Sequence, residues 1–214
     1  MTESSDGNGS PKRPAHRPSR RSDVIDAATR LFAMRGLETV TVADIADEAG
    51  MTSAAVYYHF PSKIDILLEA MRTFSRALVT ELDDRVTARS AENGTIGNGA
   101  IGDLLTGLLG WLEEHRPAAT VYFVTSSGAN LAAEALRRET RVELMELFTR
   151  AVDARKSPER QIRPAEAGVM ATGLLSLVET AAASWLAEDA VLEGLGQRRF
   201  LRETAALAER IVGA

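Results

Sequence analysis

The sequence predicts an all-α fold in which a small three-helix domain leads into a larger helical bundle. Three observations predict it. Apolar residues recur every three or four positions through most of the chain, which is the spacing of amphipathic helices. Residues 41–63, T-V-A-D-I-A-D-E-A-G-M-T-S-A-A-V-Y-Y-H-F-P-S-K, read as two short helices across a tight turn, with a third beginning at once. Only one run, 118–127 with Val121, Tyr122, Phe123 and Val124, has the β-branched and aromatic content of a strand. With no second run to pair with, it is assigned to helix.

Residues 1–21 are rich in Ser, Gly, Pro and Arg and hold almost no large apolar side chain, so a disordered basic arm is expected there. The first helix follows over 22–35, with Val24, Ala28, Leu31 and Phe32 on one face and Gly36 ending it. Thr41 caps the second helix, and Asp44, three residues on, closes a capping box over its free amides. Ile45 and Ala49 give that helix its apolar side. Gly50 tolerates the left-handed backbone of a sharp turn, Thr52 caps the third helix, and Pro61 forces its end. Ser62 and Asp65 form another box and start a fourth helix towards residue 89. Its stripe of Ile64, Leu67, Leu68, Met71, Phe74, Leu78 and Leu82 is too long for the small domain alone, so this helix is expected to connect 22–68 to 69–214.

Helix, Gly-containing turn, helix is the spacing of a helix-turn-helix unit. Its second helix has the surface of a DNA reader. Thr52, Ser53, Ala54 and Ala55 are small enough to approach base edges, Ser and Thr can hydrogen-bond to several bases, and Ala can meet a thymine methyl. Tyr57, Tyr58 and His59 bring polar tips to flanking phosphates, with Thr41 and Lys63 beside them. Lys63 also sits at a helix N-terminus, where free amides favour a phosphate.

These same residues, together with D-V-I-D-A-A-T-R-L-F-A-M-R-G before them, resemble the DNA-binding domain of the tetracycline-repressor (TetR) family. The likeness is continuous over 22–71, and the tandem Tyr-Tyr-His-Phe followed by Ser-Lys is its specific part. The resemblance implies an effector pocket in the larger domain, and because helix-turn-helix proteins gain affinity by reading two half-sites, a homodimer on a double-stranded DNA operator is expected.

A Gly/Asn-rich loop is expected over 90–100, then a Leu-rich helix over 101–115 that carries Trp111. A longer helix is expected over 130–155, with Leu131, Ala135, Leu136, Val142, Met145, Phe148 and Val152 as its stripe, until Ser157-Pro158 breaks it. Pro164 opens the next, to about residue 187, and a last helix covers 197–212. The 163–187 helix intersperses Gly168, Ala171, Gly173 and Ala181–Ala183 with large apolar residues, which lets helix axes approach closely. With the last helix it is assigned to a four-helix dimer interface, the alternative being burial of both within one chain.

Trp111, Tyr122, Phe123, Met145, Phe148, Met170 and Leu174 are the candidate lining of an apolar effector pocket, with His115, Glu179 and Asn130 as its polar groups. Each is also a natural core or surface residue. The paucity of buried-looking charge favours an apolar or amphipathic effector, and the general layout is similar to that of regulators of lipid or acyl-thioester metabolism.

Composition narrows the remaining classes. No cysteine is present, which excludes disulfides and thiolate chemistry. The three histidines, His16, His59 and His115, have no partner at metal-site spacing, and no phosphate loop or nucleophile elbow is present, so neither a cofactor nor catalysis is expected. Glu113-Glu114 and Glu188-Asp189 read as solvated helix ends. No apolar run approaches the roughly 20 residues of a membrane span and no secretory leader is visible, so a cytoplasmic protein is expected. The formal charge of the 214 residues is −5; residues 1–22 hold five cations against Glu3 and Asp6, a net of +3, which leaves −8 on the rest. The expectation is a ligand-responsive transcriptional repressor. The alternatives are an activator on the same scaffold and a ligand-binding bundle with a vestigial helix-turn-helix.

Overall fold

The computed structural model describes residues 20–93, 99–154 and 162–213. Most of the expected basic arm, the centre of the Gly/Asn-rich loop and the Ser157-Pro158 break lie outside the described residues. Among those described there is no strand, and the elements are helices throughout: α1 (Arg20–Arg35), α2 (Val42–Glu48), α3 (Ser53–His59), α4 (Lys63–Asn93), α5 (Ala100–Glu114) and α6 (Arg116–Thr120). A π-helical turn (Val121–Thr125) comes next, then α7 (Leu131–Asp153), α8 (Pro164–Ala187), α9 (Ala190–Leu195) and α10 (Gln197–Ile211).

The first three helices form as their local chemistry dictates. Gly36 and Gly50 take φ of +77° and +62°, where an L side chain would be strained, so each can end a helix and redirect the chain. Around them Val24, Ala28, Phe32, Val40, Ile45, Val56 and Phe60 meet in one apolar centre. The cluster then continues along α4 through Ile66, Met71, Phe74, Leu78 and Leu82 into the larger bundle. The expected division at 68/69 therefore falls inside a single helix of 31 residues, about 45 Å long. That helix also runs past the expected end near residue 89, to Asn93.

In the bundle, α4 packs on α7, α7 on α8, and α10 on α5 and α8. Small residues set the closest approaches: a methyl on Gly102 would stand 3.1 Å from the Ala205 carbonyl oxygen, and one on Gly173 would stand 3.2 Å from Ile211. α8 is long and apolar enough to cross a membrane by composition, contrary to the expectation that nothing in the chain is. Its Ala171, Leu174, Leu175, Val178 and Ala182 are instead buried in the bundle, and Glu179 is ion-paired to Arg141 of α7.

Two expectations about the stripe of α7 are corrected. Leu131 is 88% exposed and Val142 61%, because only the side carrying Ala133, Leu144, Leu147, Phe148 and Val152 faces the interior. The short α9 was not expected; six residues are too few to show a period, yet Asp189 caps it by accepting from the amides of Val191 and Leu192. Glu113 and Glu188, exposed at helix ends as expected, also serve as joints. Glu113 accepts from the Trp185 indole (2.7 Å) and from Arg116 (2.7 Å), and Arg116 also reaches Glu188 (2.5 Å), which ties α5 and α6 to the end of α8.

Candidate nucleic-acid interface and ligand cleft

The capping box of α2 is complete: the Asp44 amide donates to Thr41 Oγ1 (3.1 Å) and the Thr41 amide donates to the Asp44 carboxylate (2.8 Å). The same carboxylate accepts from the Thr41 hydroxyl (2.6 Å), and Arg35 lies 3.4 Å from its other oxygen. These hydrogen bonds, chiefly those from Thr41, hold the Asp44 carboxyl below its ordinary value of 3.8. A group whose folded pKa is depressed stabilises the fold above its unfolded pKa, and that contribution disappears as the pH falls through the folded value. Asp44→Asn is therefore expected to melt below the parent at about pH 6, with the gap closing in strong acid; a gap independent of pH would contradict this.

From Thr52, whose hydroxyl accepts from the Ala55 amide at 3.2 Å, α3 turns Val56 inward. Its outer side presents what the sequence nominated. Thr52 and Ala54 are exposed, Tyr57 is 54% exposed and Tyr58 86%, while Ser53, Ala55 and His59 are half-buried. The Tyr58 and His59 rings meet edge to face at 5.3 Å. The leading end of α3 is thus open to a partner.

Lys63 departs from its expected role. Its ammonium donates to the carbonyls of Leu37 (2.7 Å) and Val40 (2.8 Å), in the link between α1 and α2, instead of standing free for a phosphate. The signal that sequence could not supply is that this link leaves two carbonyls outside any helix. Ser62 caps α4 by accepting from the Asp65 amide (3.2 Å), and the Asp65 carboxylate is turned to the Ser62 hydroxyl (2.6 Å). The segment 22–68 is not itself basic: Arg30, Arg35 and Lys63 stand against Asp23, Asp26, Glu38, Asp44, Asp47, Glu48 and Asp65, a net of −4.

The expected pocket residues are largely core. Phe148 and Leu174 are fully buried, and Met170 is partly buried against the same core. Trp111 and Tyr122 pack on Phe74 at 5.7 and 5.4 Å between ring centres, and Phe123 joins them at 6.2 Å. His115 is exposed, stacked on Trp111 at 4.3 Å, with Nδ1 donating to the Trp111 carbonyl. Asn130 caps α7 by accepting from the Ala133 amide. One open space lies beside them. A cleft of about 400 Å³ runs between α7 and α8, and of the expected set Phe123 and Glu179 line it. Three arginines that sequence reading passed over, Arg137, Arg138 and Arg141, form its polar wall. Met145 lines a neighbouring groove.

The π turn links this cleft to the small domain. The Ser126 amide reaches back five residues to the Val121 carbonyl (2.9 Å), so the Tyr122 carbonyl loses its usual amide partner. The Ser126 hydroxyl (2.9 Å) and the Arg137 guanidinium both donate to it instead. α6 and the π turn pack against α1, and the Thr125 hydroxyl points to the Phe32 carbonyl at 3.4 Å.

Residues 24–70 match the sequence model for "Bacterial regulatory proteins, tetR family". The HTH-type transcriptional repressor KstR2 of Mycolicibacterium smegmatis is 44% identical over 64 residues, which is 30% of this chain and 31% of that protein. The HTH-type transcriptional regulator BetI of Brucella suis is 38% identical over 79 residues, 37% and 40% of the two chains. The matched stretch thus spans about a third of the length of these relatives. Over nearly the whole chain the fold is shared with solved structures. A bacterial regulatory protein in the tetR family from Rhodococcus RHA1 aligns with a TM-score of 0.69 at 20% identity, covering 92% of this chain and 99% of that one. The regulator FadR from Bacillus subtilis, in complex with stearoyl-CoA, aligns with a TM-score of 0.67 at 15% identity, covering 90% and 97%.

Proposed function

From an amino-terminal domain of the TetR family of bacterial regulatory proteins, joined to an all-α body of the fold those regulators share, we propose a ligand-responsive repressor that binds a palindromic DNA operator as a homodimer. The observation that carries this reading is the outward face of α3, a capped helix whose exposed Thr52, Ala54, Tyr57 and Tyr58 stand clear of the protein. Two such helices, set about one duplex turn apart, enter successive major grooves. The acidic balance of 22–68 leaves phosphate neutralisation to the cations before it, Lys12, Arg13 and Arg17 of the arm and Arg20 at the start of α1, because Arg21 is paired with Glu69.

The homodimer is assigned to α8 and α10. Val169 and Thr172 of α8 face outward, and Leu207 of α10 is 40% exposed. The effector is a small amphipathic molecule held in the body, a class to which the stearoyl-CoA named with the Bacillus subtilis regulator belongs. It acts through two continuous paths: along α4, whose ends lie in different halves, and through α6 and the π turn onto α1. Its leverage is its differential affinity for the two states, for which about 1–3 kcal/mol of coupling is typical. The body is the sensor and α3 the reader.

Selecting DNA fragments on the full-length protein, then measuring anisotropy on a selected duplex, tests the DNA reading. Tyr57→Ala and Tyr58→Ala are each expected to weaken binding by about 10–100-fold without changing the melting temperature. Equal affinities for parent and variants, with an unchanged salt slope, would remove α3 from the interface.

A further inference from the structure

Arg137, Arg138 and Arg141 occupy positions i, i+1 and i+4 of α7 and concentrate positive charge on one stretch of that helix. Two are already neutralised. Arg141 pairs with Glu179 across the cleft, and Arg137 lies 3.9 Å from Glu134 while bonding the Tyr122 carbonyl and the Ser126 hydroxyl (3.0 Å). Even so, the Arg137 Nε is buried with no hydrogen-bond acceptor. Arg138 has no hydrogen bond or ion pair among the described residues. The cleft is therefore lined by three arginines against Glu134 and Glu179, which leaves Arg138 as its one uncompensated positive charge, on a chain whose net charge outside residues 1–22 is −8.

The same Arg138 and Arg141 also border a second groove of about 370 Å³, completed by Val142, Met145 and Glu146. Val142, 61% exposed, is the apolar residue of α7 that the core does not use there. A cationic recess and an apolar trough thus share two arginines as their common wall. A carboxylate or phosphate answers the guanidinium fork with two charge-assisted hydrogen bonds, and an alkyl chain answers Val142 and Met145.

We propose that the α7–α8 cleft binds an amphipathic anion, an oxyanion head on Arg138, beside the Arg141–Glu179 pair, with its apolar chain along Val142 and Met145. The proposal deepens the regulator reading and rests on it for its biological meaning. It adds a charged cleft to the apolar pocket that the sequence suggested. The head is a carboxylate or a phosphate, since both present the same oxygens to the fork.

Calorimetric titration of the full chain with decanoate, decyl phosphate, decanol and inorganic phosphate tests it. One of the two decyl anions is expected to bind at least about tenfold tighter than decanol and than inorganic phosphate. Which of them does so identifies the head. Arg138→Gln, which breaks no internal contact, is expected to bring the anion down to the affinity of decanol with an unchanged melting temperature, and Val142→Ser to weaken both decyl anions and decanol. The proposal is overturned if none of the four probes binds, if decanol equals the anions, if inorganic phosphate equals decyl phosphate, or if Arg138→Gln changes nothing. Anisotropy on the selected duplex without ligand separates the two readings. Intact DNA binding with any of those outcomes sinks the cleft alone, and lost DNA binding with intact anion binding sinks the regulator reading.

Discussion

Replacing Phe74 by alanine is expected to lower the unfolding free energy by about 3–5 kcal/mol, among the largest losses a single core truncation produces. Phe74 is 4% exposed and sits at the hub of an aromatic group, with Trp111, Tyr122 and Phe123 all within 6.2 Å of its ring centre. Removing it takes away the transfer free energy of a buried ring and leaves a cavity that three stiff neighbours cannot collapse into. The site joins α4, α5 and the π turn, so the loss falls where the two halves meet. Urea denaturation followed by circular dichroism measures it. A loss of under about 1 kcal/mol would show that the rings repack freely.

Lys63→Met is expected to destabilise the chain by about 1–3 kcal/mol while leaving the salt dependence of DNA binding as it was. The methylene stem is preserved in volume, so the change is confined to the ammonium. Without it the carbonyls of Leu37 and Val40 lose their donor, and the link between α1 and α2 loses the tie that closes it onto α4. A phosphate-binding lysine behaves in the opposite way: the melting temperature stays put and the salt slope drops by about one. The two measurements on one variant therefore decide between the role read from sequence and the role the geometry gives.

That contrast marks where sequence was legible. The caps at Thr41, Thr52 and Ser62 act over three residues, and their chemistry is complete in the local text. Gly50 carries its conformational reason in its own lack of a Cβ. The outward set on α3 follows from a seven-residue helix with Val56 as its buried position. The cleft was illegible for a matching reason. An apolar stripe looks the same whether it lines a core or a cavity, and Phe148 and Leu174 are buried in the shared core. The arginines that do line the cleft lie on a stretch of α7 that reads as an ordinary solvated face. Only the position of α8 across from them makes Arg138 and Arg141 a wall. Lys63 is the same case at shorter range, because its acceptors are 23 and 26 residues away in the chain.

The unbroken α4 also restricts how such a protein can be recombined. A crossover that exchanged the first 68 residues for those of a relative has no loop in which to make its join; the splice must fall mid-helix. One residue gained or lost there would turn everything beyond it by about 100° and carry Phe74 out from among its rings. Only donors that keep the count of residues and the phase of the stripe can be grafted onto this body, so reader and sensor are inherited together unless their lengths already agree.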